Sequence, residues 1–442
     1  MKVRQMLALW ASVEANHGRT LDRIIRVLLY VYIFSLPFQR LLVVERNVFL
    51  VLLALLPLWC LLCRRHFLLT SPVDLPLLAY VAWVAFTIPF AAQPAYSMKE
   101  FGKLLQQVVI FYAVVYFFRE KAARLNLTYL VLGSALVVSA YGISQFQWYD
   151  GQATKSFFPA EVWLTTYLVL LGPLFFSLAY HQGKNGLGVL YGCGGIMATI
   201  CLLMTRSRAG LVALFVELWV MAWLLKRRGV LAIASVATVV FVIGALLLVR
   251  VESDAGGHLH VTVQDGTPVR TDISSVVHRL DIWAFSLSKI QEHWFVGIGY
   301  GKDNFKLVYG DEPEEVQPGH HPVKAAGAHN MILASALHVG LIGMVLYLWL
   351  WGRLIRRLIH EFYHTVDPTA RAIVLGTAVG VIGLVVRLMF DQMLVGTLAV
   401  QLWVVIALAV LHFDSRGQSD RKPEMAVVSG VPNLSSARSA LF

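Results

Sequence analysis

Twelve stretches of this sequence are long and apolar enough to cross a lipid bilayer. That succession decides the fold class before any other feature is weighed. A spanning helix needs about 20 mainly apolar residues. Such segments fall near 24–40, 47–63, 74–92, 104–118, 125–143, 160–180, 186–204, 208–225, 229–250, 330–352, 372–390 and 393–412. Backbone groups in hydrocarbon must bond to one another, so segments of this length can only be helices. Composition agrees. Of 442 residues, 58% are hydrophobic and 14% charged, and the mean hydropathy is +0.67. A soluble domain carries about 25% charged residues, so disordered, fibrous and ordinary cytosolic proteins are excluded.

The order of segments divides the chain into spans 1–9 over 1–250, one large polar loop over 251–328, spans 10–12 over 329–412, and a tail over 413–442. The tail is polar, with Ser, Gly and Pro, a composition of disordered segments. There is no convincing internal repeat. The expected class is an all-α polytopic membrane protein with about 12 transmembrane helices and amphipathic helices in its large loop.

Charge gives an orientation. The net charge is +11, from 37 Lys+Arg against 26 Asp+Glu. In a soluble protein that surplus points to nucleic acid; in a membrane protein it reports the cytoplasmic side. With the N-terminus cytoplasmic, short segments on that side hold twenty-one Lys and Arg, including Arg64, Arg65, Lys226, Arg227, Arg228, Arg356 and Arg357, against six on the other. Both termini are then cytoplasmic and 251–328 is external, periplasmic in a Gram-negative host. Lys2, Arg4, Arg19 and Arg23 precede the first apolar run without a cleavage signature after it, which reads as a retained first span. Cys60 and Cys63 form a C-x-x-C without a second pair or a His cluster, so packing is preferred over metal or redox chemistry.

Two charges defy the orientation rule. Arg206 and Arg208, in Thr205-Arg206-Ser207-Arg208-Ala209-Gly210, sit externally between two spans. A charge beside hydrocarbon needs a partner, and the planar guanidinium fork suits phosphate. The alternative is a pair of arginines snorkelling to the interface.

In the large loop, Val276, Leu280, Trp283, Leu287 and Ile290 recur at helical spacing, an amphipathic helix on which Arg279 borders the apolar stripe as a solvated rim charge. Gly297-Ile298-Gly299-Tyr300-Gly301 follows. It has no preceding strand, so a tight turn is preferred over a phosphate loop. His320, His321 and His329 invite a metal reading, but no carboxylate spacing completes it. A neutral imidazole can instead take a proton from a hydroxyl. His338, inside the tenth span, reads as a packed, hydrogen-bonded histidine. Arg387 and Asp391, near the outer end of the eleventh, can pair with each other as a structural element.

The run His329-Asn330, nine residues, Gly340, two residues, Gly343 resembles the signature of the lipopolysaccharide O-antigen ligases, of the superfamily shared with O-antigen polymerases and some bacterial O-oligosaccharyltransferases. Ser207-Arg208-Ala209-Gly210 is similar to that family's step opening a mid-chain span. Arg279 with Trp283 and then Gly297 and Gly299 resembles its loop motif. The resemblance covers roughly 155–400. It implies a GT-C-like inner-membrane glycosyltransferase that moves a preassembled O-antigen glycan from undecaprenyl pyrophosphate to a sugar of lipid A–core on the periplasmic face, with inversion and without metal or other cofactor. On that resemblance, Arg206 and Arg208 hold the pyrophosphate and Arg279 neutralises the leaving phosphate. His329 is the base, Asn330 positions it, and Lys155 loosely matches a basic residue of relatives. His338, Arg387 and Asp391 would be supporting residues. Membrane lipids are further partners and nucleic acid is not. The rival readings are an O-antigen polymerase, a protein O-oligosaccharyltransferase and, in another class, a transporter of the lipid-linked sugar. The last predicts charges along several helix interiors and a paired repeat. The odd charges here gather instead at one face.

Overall fold

A computed structural model describes residues 2–68, 73–147, 152–229, 249–253, 259–263, 273–311, 327–391 and 394–413, with a few isolated positions between them. The chain forms α1 (Lys2–Ser35), α2 (Leu42–Cys63), α3 (Asp74–Thr87), α4 (Pro94–Phe117), α5 (Lys121–Ser144), α6 (Glu161–Gln182), α7 (Gly186–Met204) and α8 (Arg208–Leu224). A two-stranded antiparallel ribbon follows, β1 (Val249–Ser253) and β2 (Leu259–Val263), in which Val251 pairs with Val261. Then come α9 (Ile273–Glu292), α10 (Asn304–Tyr309), α11 (Met331–His364), α12 (Pro368–Leu388) and α13 (Gly396–Val410). The chain is an all-α polytopic membrane protein, with the ribbon as a small addition in the large loop. Seven of the described helices are long and apolar enough to cross a membrane: α2, α4, α5, α6, α7, α11 and α12. The segments around α3 and α13 are shorter and apolar. Of the ninth apolar segment, 229–250, only scattered positions are described, and the tail beyond Phe413 lies outside the described residues.

The bundle is organised around α12, which packs against α6, α8, α11 and α13. Most of its residues are buried. Its closest neighbour is α6, and small residues allow the approach. A Cβ on Gly376 would lie 2.6 Å from the Leu174 Cα, and one on Gly380 would lie 2.4 Å from the Leu170 carbonyl oxygen. Small residues one turn apart are how helices meet closely where no hydrophobic driving force separates protein from lipid. Elsewhere α4 packs on α13, and α3 on α11.

Polar contacts sew the helix connections together at each end. At one end, Gln39 N donates to Phe157 O, Thr154 N to Met204 O and Asn330 Nδ2 to Met389 O. At the other, Arg26 binds Glu120 at 2.6 Å and Arg124 binds Leu411 O. The Arg26 guanidinium holds the Glu120 carboxyl below the usual carboxylate range. The first end also carries residues 294–311 and is called the site end below.

The tenth apolar segment is not one straight helix. α11 breaks at Val339 (φ −131°, ψ 17°) and Gly340 (φ 72°, ψ 176°). The loop after α9 fills the break. Ile298 N donates to Leu337 O at 2.8 Å, Gly299 N to His338 O at 3.0 Å, and Leu341 N to Trp294 O at 2.8 Å. Trp83 Nε1 donates to Val339 O at 2.8 Å. Every carbonyl freed by the break from Leu337 to Val339 thus has a donor, the condition for irregular backbone inside a membrane protein. The glycine-rich run is therefore neither a phosphate loop nor a simple turn. A Cβ on Gly297 would come 2.5 Å from the His338 carbonyl carbon, so the loop reaches the helix only as glycine.

Candidate functional site

His329 sits one residue before α11 with φ +43°, a left-handed backbone uncommon outside glycine. Asn330 follows as the N-cap. Its Oδ1 accepts from Ile332 N at 2.9 Å and Leu333 N at 3.2 Å, and its Nδ2 donates to Met389 O at 3.1 Å. Both ends of the amide are thus engaged in fixing the helix start against the end of α12. Such a cap stabilises by about 1 kcal/mol. The consequence for His329 is a defined position at the lip of the bundle.

The imidazole faces a carboxylate from the same end of α12. His329 Nδ1 lies 3.7 Å from Asp391 Oδ1, an ion-pair distance longer than a hydrogen bond. The other carboxylate oxygen, Oδ2, accepts from Arg387 Nη2 at 3.2 Å. Arg387 is 2% exposed and Asp391 8%. Arg387 Nε is buried without a hydrogen-bond partner among the described residues. The Arg387–Asp391 pairing expected from their spacing is present, and it is one link of a longer chain, Arg387–Asp391–His329. A carboxylate on one ring nitrogen orients an imidazole and leaves the other nitrogen for a reacting proton. No spacing rule points to Asp391, which is far from His329 in sequence.

Arg279 joins from α9, on a different seam from the one that the apolar spacing predicts. The buried face of α9 is Ile282, Ser286 and Ile290, with half-buried Arg279 in phase with it, while Leu280 and Leu287 are more than half exposed. Arg279 is therefore on the inward seam rather than on a solvated rim. A helix beside a membrane has two apolar faces, one toward protein and one toward lipid, and apolar spacing alone does not separate them. Ser286 can be buried because its hydroxyl bonds to Ile282 O. α9 packs on α11, and Arg279 lies within electrostatic range of Arg387.

Arg206 and Arg208 occupy the α7–α8 turn. Arg206 has φ +52°, the left-handed residue that ends a helix, and its guanidinium lies 5.7 Å over the Phe146 ring. Ser207 caps α8 by accepting from Gly210 N at 3.1 Å. A Cβ on Gly210 would come 2.5 Å from Thr165 Cγ2. Serine and glycine of this step are thus structural, and both arginines are exposed. Lys155 is also exposed, and the Thr154–Met204 bond holds its loop beside the same turn. Residues 152–160 and 203–212 contain no acid. α8 and α12 touch where a Cβ on Gly383 would meet the Glu217 carboxyl. At 1.5 Å rise per residue, Arg208 stands about 7 Å farther toward the site end than Arg387.

His338 lines a cavity on the first half of α11, and its carbonyl belongs to the glycine clamp. His320 and His321 lie outside the described residues. Among the described residues no group of three or more His, Cys, Asp or Glu is placed to hold a metal. The structure thus brings His329, Asp391, Arg387 and Arg279 together, and separately Lys155, Arg206 and Arg208, both sets at the site end.

Residues 193–348, from within α7 to within α11, match the family described as O-antigen ligase. The match takes in Arg206, Arg208, Arg279 and His329, and it supports a ligase- or polymerase-type function in O-antigen processing. No curated protein matches the chain.

Proposed function

We propose that the protein belongs to the O-antigen ligase/polymerase superfamily and is the ligase: a glycosyltransferase moving an O-antigen glycan from undecaprenyl pyrophosphate to a sugar hydroxyl of lipid A–core, at the periplasmic face of a bacterial inner membrane. The observation that carries this reading is the Arg387–Asp391–His329 chain at the same bundle end as the Arg206–Arg208 turn.

The chemistry follows from those groups. The anomeric carbon is already activated by pyrophosphate. The acceptor hydroxyl attacks it, the bond from that carbon to the pyrophosphate oxygen breaks, and the hydroxyl proton passes to the free nitrogen of His329. Asp391 stabilises the imidazolium that forms. The departing pyrophosphate gains negative charge, which Arg206, Arg208 and Arg279 neutralise by charge-assisted bonds. A single displacement inverts the anomeric centre. Lys155 adds a cation on the donor side, and Asn330 acts by holding the base in place.

Reconstitution with purified undecaprenyl-pyrophosphate glycan and lipid A–core, in EDTA, tests the reading. Product on lipid A–core supports a ligase. Longer lipid-linked glycans would make the chain a polymerase, and lipid movement without product a transporter. Two variants test the roles. Arg279→Ala is expected to lower kcat by about 100-fold, with Arg279→Lys recovering only part; full recovery in Lys would remove the need for a two-pronged contact. Asp391→Asn is expected to lower kcat about 10–100-fold with donor KM unchanged. An unchanged kcat would show that the carboxylate does not orient the base.

A further inference from the structure

Two adjoining cavities open between the helices of the bundle. One, a chamber of about 160 Å³, lies between α3, α4, α11 and α13. The first half of α11 turns one face to it, Met331, Ala334, Ser335 and His338. The other, a crevice of about 330 Å³, lies between the α1–α2 turn, α4, the start of α6 and the start of α13. Lys103 and Gly396 border both, so the two spaces meet.

The lining is graded. α4 carries polar residues at helical spacing, Glu100, Lys103, Gln106 and Gln107, along the walls of these spaces. Lys103 is paired to Glu100, and Gln106 bonds both the Glu45 carboxylate at 3.1 Å and the Tyr32 hydroxyl at 2.8 Å. Tyr80, Tyr300 and Tyr347 come next. Burial pushes the Tyr300 hydroxyl up, so it remains a donor at neutral pH. Beyond them the chamber is walled by Leu350, Leu354, Leu402 and Ile406. Ser335 Oγ, on this wall, is buried with no hydrogen-bond partner among the described residues. Charged residues inside a membrane bundle are costly and mark substrate paths. A space that is polar at one end and apolar at the other fits an amphipathic guest.

Charge decides which guest. The arginine turn and the Lys155 loop beside it hold three cations, with no acid in 152–160 or 203–212, a charge balance that suits a pyrophosphate. In the crevice Glu45 stands against Arg46 and Lys103, Glu100 of the adjoining chamber pairs with Lys103, and Trp163 adds an aromatic face. Balanced donors and acceptors beside an aromatic ring suit sugar hydroxyls. Leu388 and Leu394, in the chamber wall, flank Asp391 in sequence, and Met331 of the same wall is two residues from His329, so the chamber adjoins the chain segments that carry the reacting histidine and its carboxylate. Resting on the ligase reading above, we propose that this crevice and chamber hold the acceptor glycolipid, its sugars along α4 and α6 and a hydrocarbon chain in the chamber.

The test uses the full chain in nanodiscs, with Ala399→Phe to fill the chamber and Trp163→Ala to strip the crevice. Binding of purified lipid A–core and of undecaprenyl pyrophosphate is measured separately, and melting temperature is followed for each variant. Each variant is expected to weaken lipid A–core binding at least about tenfold, with undecaprenyl-pyrophosphate affinity held within about twofold, which also certifies the fold. Loss of carrier affinity with lipid A–core binding intact would overturn the assignment, as would equal loss of both, no change in either, or a wild-type chain that does not bind lipid A–core. Wild-type binding of lipid A–core at this site without glycan transfer would leave the assignment standing and sink the catalytic reading instead.

Discussion

His329→Asn is expected to abolish glycan transfer to lipid A–core while leaving the protein folded. A positioned base contributes about 10²- to 10⁴-fold, and the imidazole faces the Asp391 carboxylate at 3.7 Å. The choice of asparagine matters. His329 has φ +43°, and asparagine tolerates left-handed backbone better than most residues. Alanine adds strain of roughly 1 kcal/mol there and would blur a chemical loss with a structural one. The measurement is surface O-antigen in a strain lacking its own enzyme, together with kcat in the reconstituted reaction. Transfer at the wild-type rate by His329→Asn would remove the base from the mechanism. Loss of donor binding with the rate per bound donor unchanged would move His329 to the pyrophosphate side.

Gly340→Ala is expected to cost more than any other single-methyl change in the described structure. Gly340 combines φ 72° with ψ 176°, a region that is essentially glycine-only. Its Cβ would lie 1.9 Å from the Phe295 carbonyl oxygen and 2.9 Å from that of Trp294. Neither obstacle is a flexible side chain. Both are backbone, and they are held by the clamp that satisfies the broken helix. The added methyl must push the loop away, which frees Leu337 O and His338 O inside the bundle. Each buried unpaired group costs about 1–3 kcal/mol, so a total above about 3 kcal/mol is expected. The readout is loss of the monodisperse purified protein or a large fall in melting temperature. Gly352→Ala is the control: nothing stands within 4 Å of its Cβ, and it should change stability by less than about 0.5 kcal/mol. Equal behaviour of the two variants would mean that the break is not clamped in solution.

These two residues show how differently a motif can be legible. The spacing from His329-Asn330 to Gly340 and Gly343 was visible as a pattern, but its physical content was not. Asn330 is a helix cap, and Gly340 is the point where a spanning helix opens to receive the loop from Trp294 to Gly301. The glycine run of that loop has the composition of a turn. Its partner is Leu337–Gly340, and no local rule pairs segments that far apart. Arg279 was placed on the wrong seam of α9, since apolarity alone does not separate the face that meets α11 from the face that meets lipid. Asp391 was paired with Arg387 because four residues on a helix end bring two side chains together. Its approach to His329 depended on Asn330 tying the start of α11 to the end of α12. The polar side of α4 was hidden in a segment whose apolar half defined the span.

By itself the sequence determined that this chain is a helical membrane protein, and it singled out Arg206 and Arg208 as charges that break the orientation pattern. Bilayer thickness and the cost of unpaired backbone act on any local segment, so length and hydropathy suffice. Only the tertiary structure decided which charges meet. The close packing of α6 on α12 through Gly376 and Gly380 sets where α12 ends. The break in α11 sets how the loop and α9 approach. Together they bring Arg387, Asp391, His329 and Arg279 to one lip. Such convergence is a property of helix ends held by neighbours, and neighbours are what a one-dimensional pattern does not contain.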